Sequence, residues 1–301
     1  MSTVVEYLKN SKIDRVKWDQ CIDSVQNGLI YGYSTYLDQM ARHWDALVMG
    51  DYERVMPLTW NKKFGISYLY QPPFTASLGL FGNEIDQQIM TDFWNAIPSK
   101  FRLIDISLNP GNNFEIRSDS IYRRINYILD LNHPYQLLRN GYRQNTIRNM
   151  QKSMQAGCTY HKNIPVKDVI DLAKQYRRAI PDHLERFERL YNLLKNNGEA
   201  VTRGIFSASS QLLASAVFFF SHGRAYYILV GNHPNGKTLG ASHFLIDRFI
   251  EEHSDQSLLL DFEGSDLENL AFFYSSFGAA TEIYPAVKMN HLPWWFKWLK
   301  R

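Results

Sequence analysis

The chain has 301 residues, 45% hydrophobic and 21% charged, a balance that excludes a disordered or fibrous protein and leaves room for two domains of about 150 residues each. Its formal net charge of +3 is too small to specify a polyanionic partner. Cys21 and Cys158 make no CxxC or metal-ligand spacing, and nine scattered histidines without an HExxH pattern predict no metal.

The stretch from Met1 to Glu6 lacks the basic start and apolar run of a signal peptide, and no apolar run approaches the roughly 20 residues of a membrane helix. A cytoplasmic location without integral membrane contact is the expectation. Apolar alternation between turn residues predicts strands at 45–49, 54–60 and 66–70. A helix follows over 85–97, with Ile89, Phe93 and Ile97 on one face and Pro98 as its stop, and then a strand at 102–107. A strand-like segment at 124–131 leads to a helix over 134–156 and a second helical stretch over 166–195 that Pro181 interrupts. Strands at 201–206, 212–220 and 225–230, a helix from Gly240 to His253 and a strand at 257–262 repeat the first order.

The third strands of the two copies and the strands after their helices are offset by about 159 and about 155 residues, the signature of an internal duplication. The expected fold is α/β (α+β), with two similar domains at 1–130 and 131–301, each a mixed, mainly antiparallel sheet flanked by helices. A ligand site is then expected at the carboxyl end of a strand, where the crossover helix begins.

In the second copy that segment runs from Gly231 to Ser242 and contains Asn235, Gly236, Lys237, Thr238, Leu239, Gly240 and Ala241. Glycines allow close backbone approach, a helix N-terminus favours negative charge, and Lys237 adds a cation, so a pyrophosphate is a suitable ligand. The alternative is a loop that only turns the chain, with Ser242 as a helix cap. The first copy's counterpart, from Gln71 to Gly82, has no Lys or Arg and carries Pro72 and Pro73, which donate no N–H. Only the second copy is equipped for a donor.

Lys237-Thr238-Leu239-Gly240-Ala241-Ser242 resembles the Arg/Gln-x-x-Gly-x-Gly/Ala pattern of the GNAT superfamily of acyltransferases, with Lys and Ser at its ends. Phe273-Tyr274-Ser275-Ser276-Phe277-Gly278-Ala279 is similar to that family's later Leu-Tyr-x-x-x-Gly-Phe segment. The resemblance implies acyl-CoA as donor substrate, bound by residues Asn235 to Ser242, and a role for Tyr274 as the acid that protonates the leaving thiolate; core packing is the alternative for this tyrosine. The segments Arg124 to Leu131, Tyr135 to Leu138, Tyr142 to Asn149 and Leu260 to Ser265 look like the FemAB-like, tandem-GNAT group.

Transfer to an amine needs a proton acceptor, for which Asp261 and Glu263 are candidates at a strand end; Glu263 is the better placed, with a turn-capping role as the alternative. His243 on the crossover helix is a further residue that could line the donor pocket, with a surface or satisfied core position as the alternative. Arg139, Arg143, Arg148 and Lys152 are read as one basic helix face, modest for tRNA. The tail from Pro293 to Arg301 mixes tryptophans with basic residues and reads as a docked terminus or, less favoured, a membrane-interface segment. No GxSxG, GxxxxGK[ST] or CxxC pattern supports a hydrolase, NTPase or redox enzyme. The expected function is an N-acyltransferase moving an acyl group from acyl-CoA to an amine. The alternatives are an aminoacyl-tRNA-dependent transferase acting on a cell-wall precursor and a non-catalytic ligand-binding protein.

Overall fold

The computed structural model describes residues 4–112, 121–176, 181–264 and 266–292; Ser265 and the aromatic, basic tail at 293–301 lie outside the described residues. The chain divides into two compact units, one of residues 1–124 with 283–301 and one of residues 125–282.

In the first unit, β1 (Val5–Leu8), α1 (Arg15–Ser24) and α2 (Ser34–Met40) precede a meander of β2 (His43–Met49), β3 (Arg54–Lys63) and β4 (Ile66–Tyr70). Then come β5 (Phe81–Gly82), α3 (Gln87–Asn95) and β6 (Phe101–Ser107). The two longest helices here start where an aspartate caps them: Asp14 accepts from the Val16 and Lys17 N–H groups, and Asp86 from that of Ile89. Strands β1 to β4 pair antiparallel in sequence order, and β6 lies parallel to β4 after the crossover through α3. Met90 and Phe93 of α3 close the core against Leu69, Ile104 and Ile106 on one sheet face.

Strand β7 (Ile121–Asp130) carries the chain into the second unit, where α4 (Tyr135–Asn140), α5 (Gln144–Gln155), β8 (Thr159–Lys162), α6 (Val166–Tyr176) and α7 (Pro181–Asn196) follow. The repeated meander is β9 (Ala200–Phe206), β10 (Leu212–Ser221) and β11 (Arg224–Asn232). It continues through α8 (Pro234–Leu239), α9 (Ala241–His253), β12 (Leu259–Asp261) and α10 (Glu268–Ser275) to β13 (Ala280–Asn290). The pairing order β8-β9-β10-β11-β12, parallel only between β11 and β12, matches β1-β2-β3-β4-β6 of the first unit. The core between α9 and this sheet is aromatic, with Phe218 and Phe249 stacked at 3.7 Å between ring centroids.

The observed division differs from a cut at 130/131. Each unit takes its last antiparallel strand from a distant part of the chain: β7 pairs with β12, and β13 pairs with β6. The first unit therefore ends inside β7 at Arg124 and regains the chain at Ile283. Local periodicity marks both segments as strands but carries no information about which edge completes them.

Two helices differ from the expectation in the same region. The stretch at 134–156 is two helices, separated at Gly141 to Arg143, so Arg139 does not share a helix with Arg148 and Lys152. Residues 234–239, expected as loop, form α8, because Pro234 suits the first helical turn and the His233 side chain accepts the Asn235 N–H. Pro181 opens α7. Both cysteines are buried free thiols, and burial raises Cys21 to about 11. Among the described residues no helix is long and apolar enough to cross a membrane, and no group of three or more His, Cys, Asp or Glu side chains is placed to hold a metal.

Candidate active site

The second unit opens a wedge between two parallel strands. Strands β11 and β12 pair from Arg224↔Leu259 to Tyr226↔Asp261, and among the described residues no further pairing joins them, although β11 runs on to Asn232. The six residues of β11 beyond its register with β12 amount to roughly 20 Å of strand. On its other side β11 stays paired with β10, but Val217 faces Leu229 while Phe218 faces Tyr227, which leaves Ile228 as a bulge. A bulge adds twist and bends the strand where the wedge begins.

The closed end of the wedge is held by ions. Arg224 Nη1 lies 2.9 Å from Asp261 Oδ2, and its two terminal nitrogens lie 3.0 and 2.6 Å from the Glu282 carboxylate. Asn126 Nδ2 donates to both acids, and the Glu263 N–H donates to Asp261 Oδ1 at 2.8 Å. Burial raises Asp261 above the usual carboxylate range, while Arg224 and these hydrogen bonds pull it down. Asp261 is therefore committed to structure.

At the open end lies a cavity of about 250 Å³. Its strand wall is Tyr227, Val230 and Asn232; α10 supplies Leu270, Phe273 and Tyr274; the α8–α9 junction supplies Gly236, Lys237, Gly240, Ser242 and His243. Of the sequence-predicted residues, Gly236, Lys237, Gly240, Ser242 and Tyr274 thus meet around one space. Asn235 faces Gln211 instead, Thr238 turns its hydroxyl to the Pro234 carbonyl, Leu239 packs on the core, and Ala241 is fully buried. Glu263 is not among the lining residues: β12 ends at Asp261, and Glu263 sits in a turn at φ +63°, so strand alternation does not aim it with Asp261.

The glycines serve packing first. A Cβ at Gly236 would lie 2.2 Å from the Leu213 carbonyl oxygen, and one at Gly240 would lie 2.4 Å from that of Asn149. Gly240 also takes φ +73°, which ends α8 and starts α9 in a single residue. Its carbonyl accepts the His243 and Phe244 N–H groups. The start of a 13-residue helix, beside the exposed Lys237, makes an anion-binding corner. The Ser242 hydroxyl does not cap the helix; it donates to Asn232 Oδ1 at 2.7 Å.

His243 meets the edge of Phe273, with ring centroids 4.8 Å apart at 80°, and burial lowers it to about 4. The folded-state value lies below the ordinary 6.5, so folding favours the neutral ring, and that contribution is lost as pH falls from 6.5 toward 4. The His243 imidazole NMR shifts are expected to stay constant from pH 8 to about 5.5. An inflection near 6.5 would show the ring to be solvated.

The first unit lacks the wedge. Strands β4 and β6 pair to Tyr70↔Asp105, and Gln71 continues the closure: its Oε1 accepts the Ser107 N–H at 2.9 Å and its Nε2 donates to Thr75 O at 3.0 Å. Leu78 then bridges to Leu108 in parallel, and Leu80 is fixed by the buried Asn109 and Asn112 amides. The crossover segment itself fills the space a ligand would need. Tyr227, Val230 and Leu270 carry no signal in the sequence, because they line the same space only once the strands part, while Asn232 and Phe273 lie in the two marked segments without a role assigned to them.

No family model matches the chain, and no curated protein matches it. Among solved structures, FemX is similar at TM-score 0.70 and 13% identity, over 98% of this chain and 100% of that one. A tandem GNAT protein from the clavulanic acid biosynthesis pathway is similar at TM-score 0.58 and 12% identity, over 96% and 99%. The C-terminal domain of a lysylphosphatidylglycerol synthetase candidate from Agrobacterium fabrum is similar at TM-score 0.55 and 11% identity, over 92% and 91%. With two units of the same strand order and near-complete coverage of these structures, the chain has a tandem, GNAT-like fold of the FemAB type.

Proposed function

We propose that the protein is an N-acyltransferase that takes its acyl group from a coenzyme A thioester held in the wedge of the second unit. The observation that carries this reading is the parting of β11 and β12 beside the Lys237–Ser242 corner, set against its closure in the first unit. The open edge of β11 offers backbone donors and acceptors to the amides of the pantetheine arm, as an added strand would. Lys237 and the N-terminus of α9 take the pyrophosphate. The tandem GNAT neighbour, whose structure is described as being without AcCoA, supports the same donor class.

In this reading the amine nitrogen attacks the thioester carbonyl, a C–N bond forms and the C–S bond breaks. Tyr274 lines the wedge and donates its phenolic proton to the departing thiolate; the phenolate then takes the proton shed by the new amide nitrogen. This returns the site to its starting state without a carboxylate base, which suits the absence of Glu263 from the cavity lining. Holding both reactants in one geometry supplies much of the rate.

Calorimetric titration of the full chain with acetyl-CoA tests the donor. Saturable binding is expected, and Lys237→Glu is expected to weaken it about 10- to 100-fold, the value of one charge-assisted contact to phosphate. No heat at millimolar donor would overturn the coenzyme A reading. Salt-sensitive retention of aminoacyl-tRNA would then favour the aminoacyl donor instead.

A further inference from the structure

In the coenzyme A reading the donor's anionic end lies at Lys237 and its sulfur at Tyr274, two residues of one cavity lining. The acyl group then points toward the closed end of the wedge, where the last paired rung is Tyr226↔Asp261. Tyr227, the first residue of β11 beyond that rung, lines the cavity and is 5% exposed. Its ring stands at 89° to that of Tyr274, with centroids 6.5 Å apart. Whatever follows the thioester carbon meets this ring.

The ring has nowhere to move. Tyr227 packs on Phe218 with centroids 5.3 Å apart and edge-on to Phe262 at 6.1 Å, and both phenylalanines are buried. Phe218 in turn stacks on Phe249, and Phe262 stacks on Tyr274 at 4.8 Å. Displacing one ring displaces the next, and extra methylenes forced into such a cluster are destabilising. Next to it, Arg224 holds Asp261 at 2.9 Å and Glu282 at 2.6 Å, which keeps the last rungs of the pairing shut. The cavity of about 250 Å³ is at the small end for a ligand site, so the arm and its thioester leave little room for a chain.

Charge is restricted as well. Among the described residues, Lys237 is the one lining residue with a formal charge, and the pyrophosphate takes it. His243, in the same lining, is lowered to about 4 by burial and is neutral at pH 7. Asp261, Glu282 and Arg224 lie outside the lining and are committed to one another. An ammonium or a carboxylate on the acyl group would therefore be desolvated there without a counter-ion.

We propose, on the basis of the coenzyme A reading, that Tyr227 is the specificity-determining residue of the donor site and that the wedge accepts a short, uncharged acyl group of the acetyl to butyryl class. Medium-chain acyl groups are excluded by length. Acyl groups with an ammonium, as in an aminoacyl donor, or with a carboxylate are excluded by charge.

Calorimetric titration of the full chain with free coenzyme A, acetyl-CoA, octanoyl-CoA, succinyl-CoA and β-alanyl-CoA tests this. Free coenzyme A and acetyl-CoA are expected to bind with similar affinity, octanoyl-CoA at least about tenfold more weakly, and the two charged thioesters at least about tenfold more weakly. Tyr227→Leu, which stays apolar but is smaller, is expected to narrow the octanoyl deficit to about threefold or less while acetyl-CoA binds as before. Octanoyl-CoA or either charged thioester binding the unaltered protein as tightly as acetyl-CoA would overturn the proposal, and this series decides it without any variant. An octanoyl deficit that persists in folded Tyr227→Leu protein would overturn the role of Tyr227. Free coenzyme A that does not bind at all would overturn the donor reading and this proposal together, whereas equal binding of every thioester alongside free coenzyme A would overturn this proposal alone.

Discussion

Replacing Arg224 with methionine is expected to destabilise the second unit by about 3–5 kcal/mol, because it leaves two buried carboxylates without their cation. The side chains of Arg224, Asp261 and Glu282 are 16%, 6% and 15% exposed, so water does not replace the lost partner. Urea unfolding at neutral pH checks the value. Asp261 is already raised by burial, and loss of Arg224 raises it further. A carboxylate whose folded-state pKa lies above its unfolded value is stabilised by protonation, so the deficit should shrink as pH falls through that raised value. Adding Asp261→Asn to the methionine variant should restore part of the loss at neutral pH. A loss under about 1 kcal/mol, the scale of an exposed ion pair, would show that the cluster does not hold the closed end of the wedge.

Tyr274→Phe is expected to lower kcat about 100-fold while leaving the donor affinity and the stability nearly unchanged. The ring is held by packing that phenylalanine keeps, stacked on Phe262 at 4.8 Å and edge-on to Phe273 at 5.7 Å. Only the hydroxyl and its proton are removed. Steady-state kinetics with acetyl-CoA and an amine acceptor, alongside the calorimetric titration, read the two effects separately. An unchanged kcat would remove the phenol from the mechanism. Glu263→Gln is the contrasting variant, with little expected effect on kcat, because that side chain lies outside the cavity lining.

Other charged groups belong to the scaffold. Arg203, Tyr160 and Lys162 surround Glu252, and the hydrogen bonds of Arg203, Tyr160 and Lys162 hold the carboxyl at about 2 against the desolvation that would raise it. A carboxyl lowered in the folded state contributes stability above its ordinary 4.5 that is lost as pH falls toward 2. Strand β9 and helix α9 are tied together by the Arg203–Glu252 pair.

Much of the architecture was present in the amino-acid order. Alternation marked Ile66–Tyr70 and Leu212 onward as strands, the spacing of Ile89 and Phe93 marked α3, and the repeated order of elements marked the duplication, because each depends on neighbours within a few residues. The Gly-rich segment with Lys237 and the later Tyr274 named most of the walls of the candidate site for the same reason: short motifs survive without knowledge of the fold. Tertiary structure alone decided the rest. Which sheet β7 and β13 complete, where β11 and β12 part, and how Gln71 seals the first copy are pairings between residues far apart in sequence, and period alone cannot choose among edges. Glu263 shows the same limit at a single residue, since its left-handed backbone in the turn, set by the strand ending at Asp261, cancels the alternation that pointed it toward the ligand.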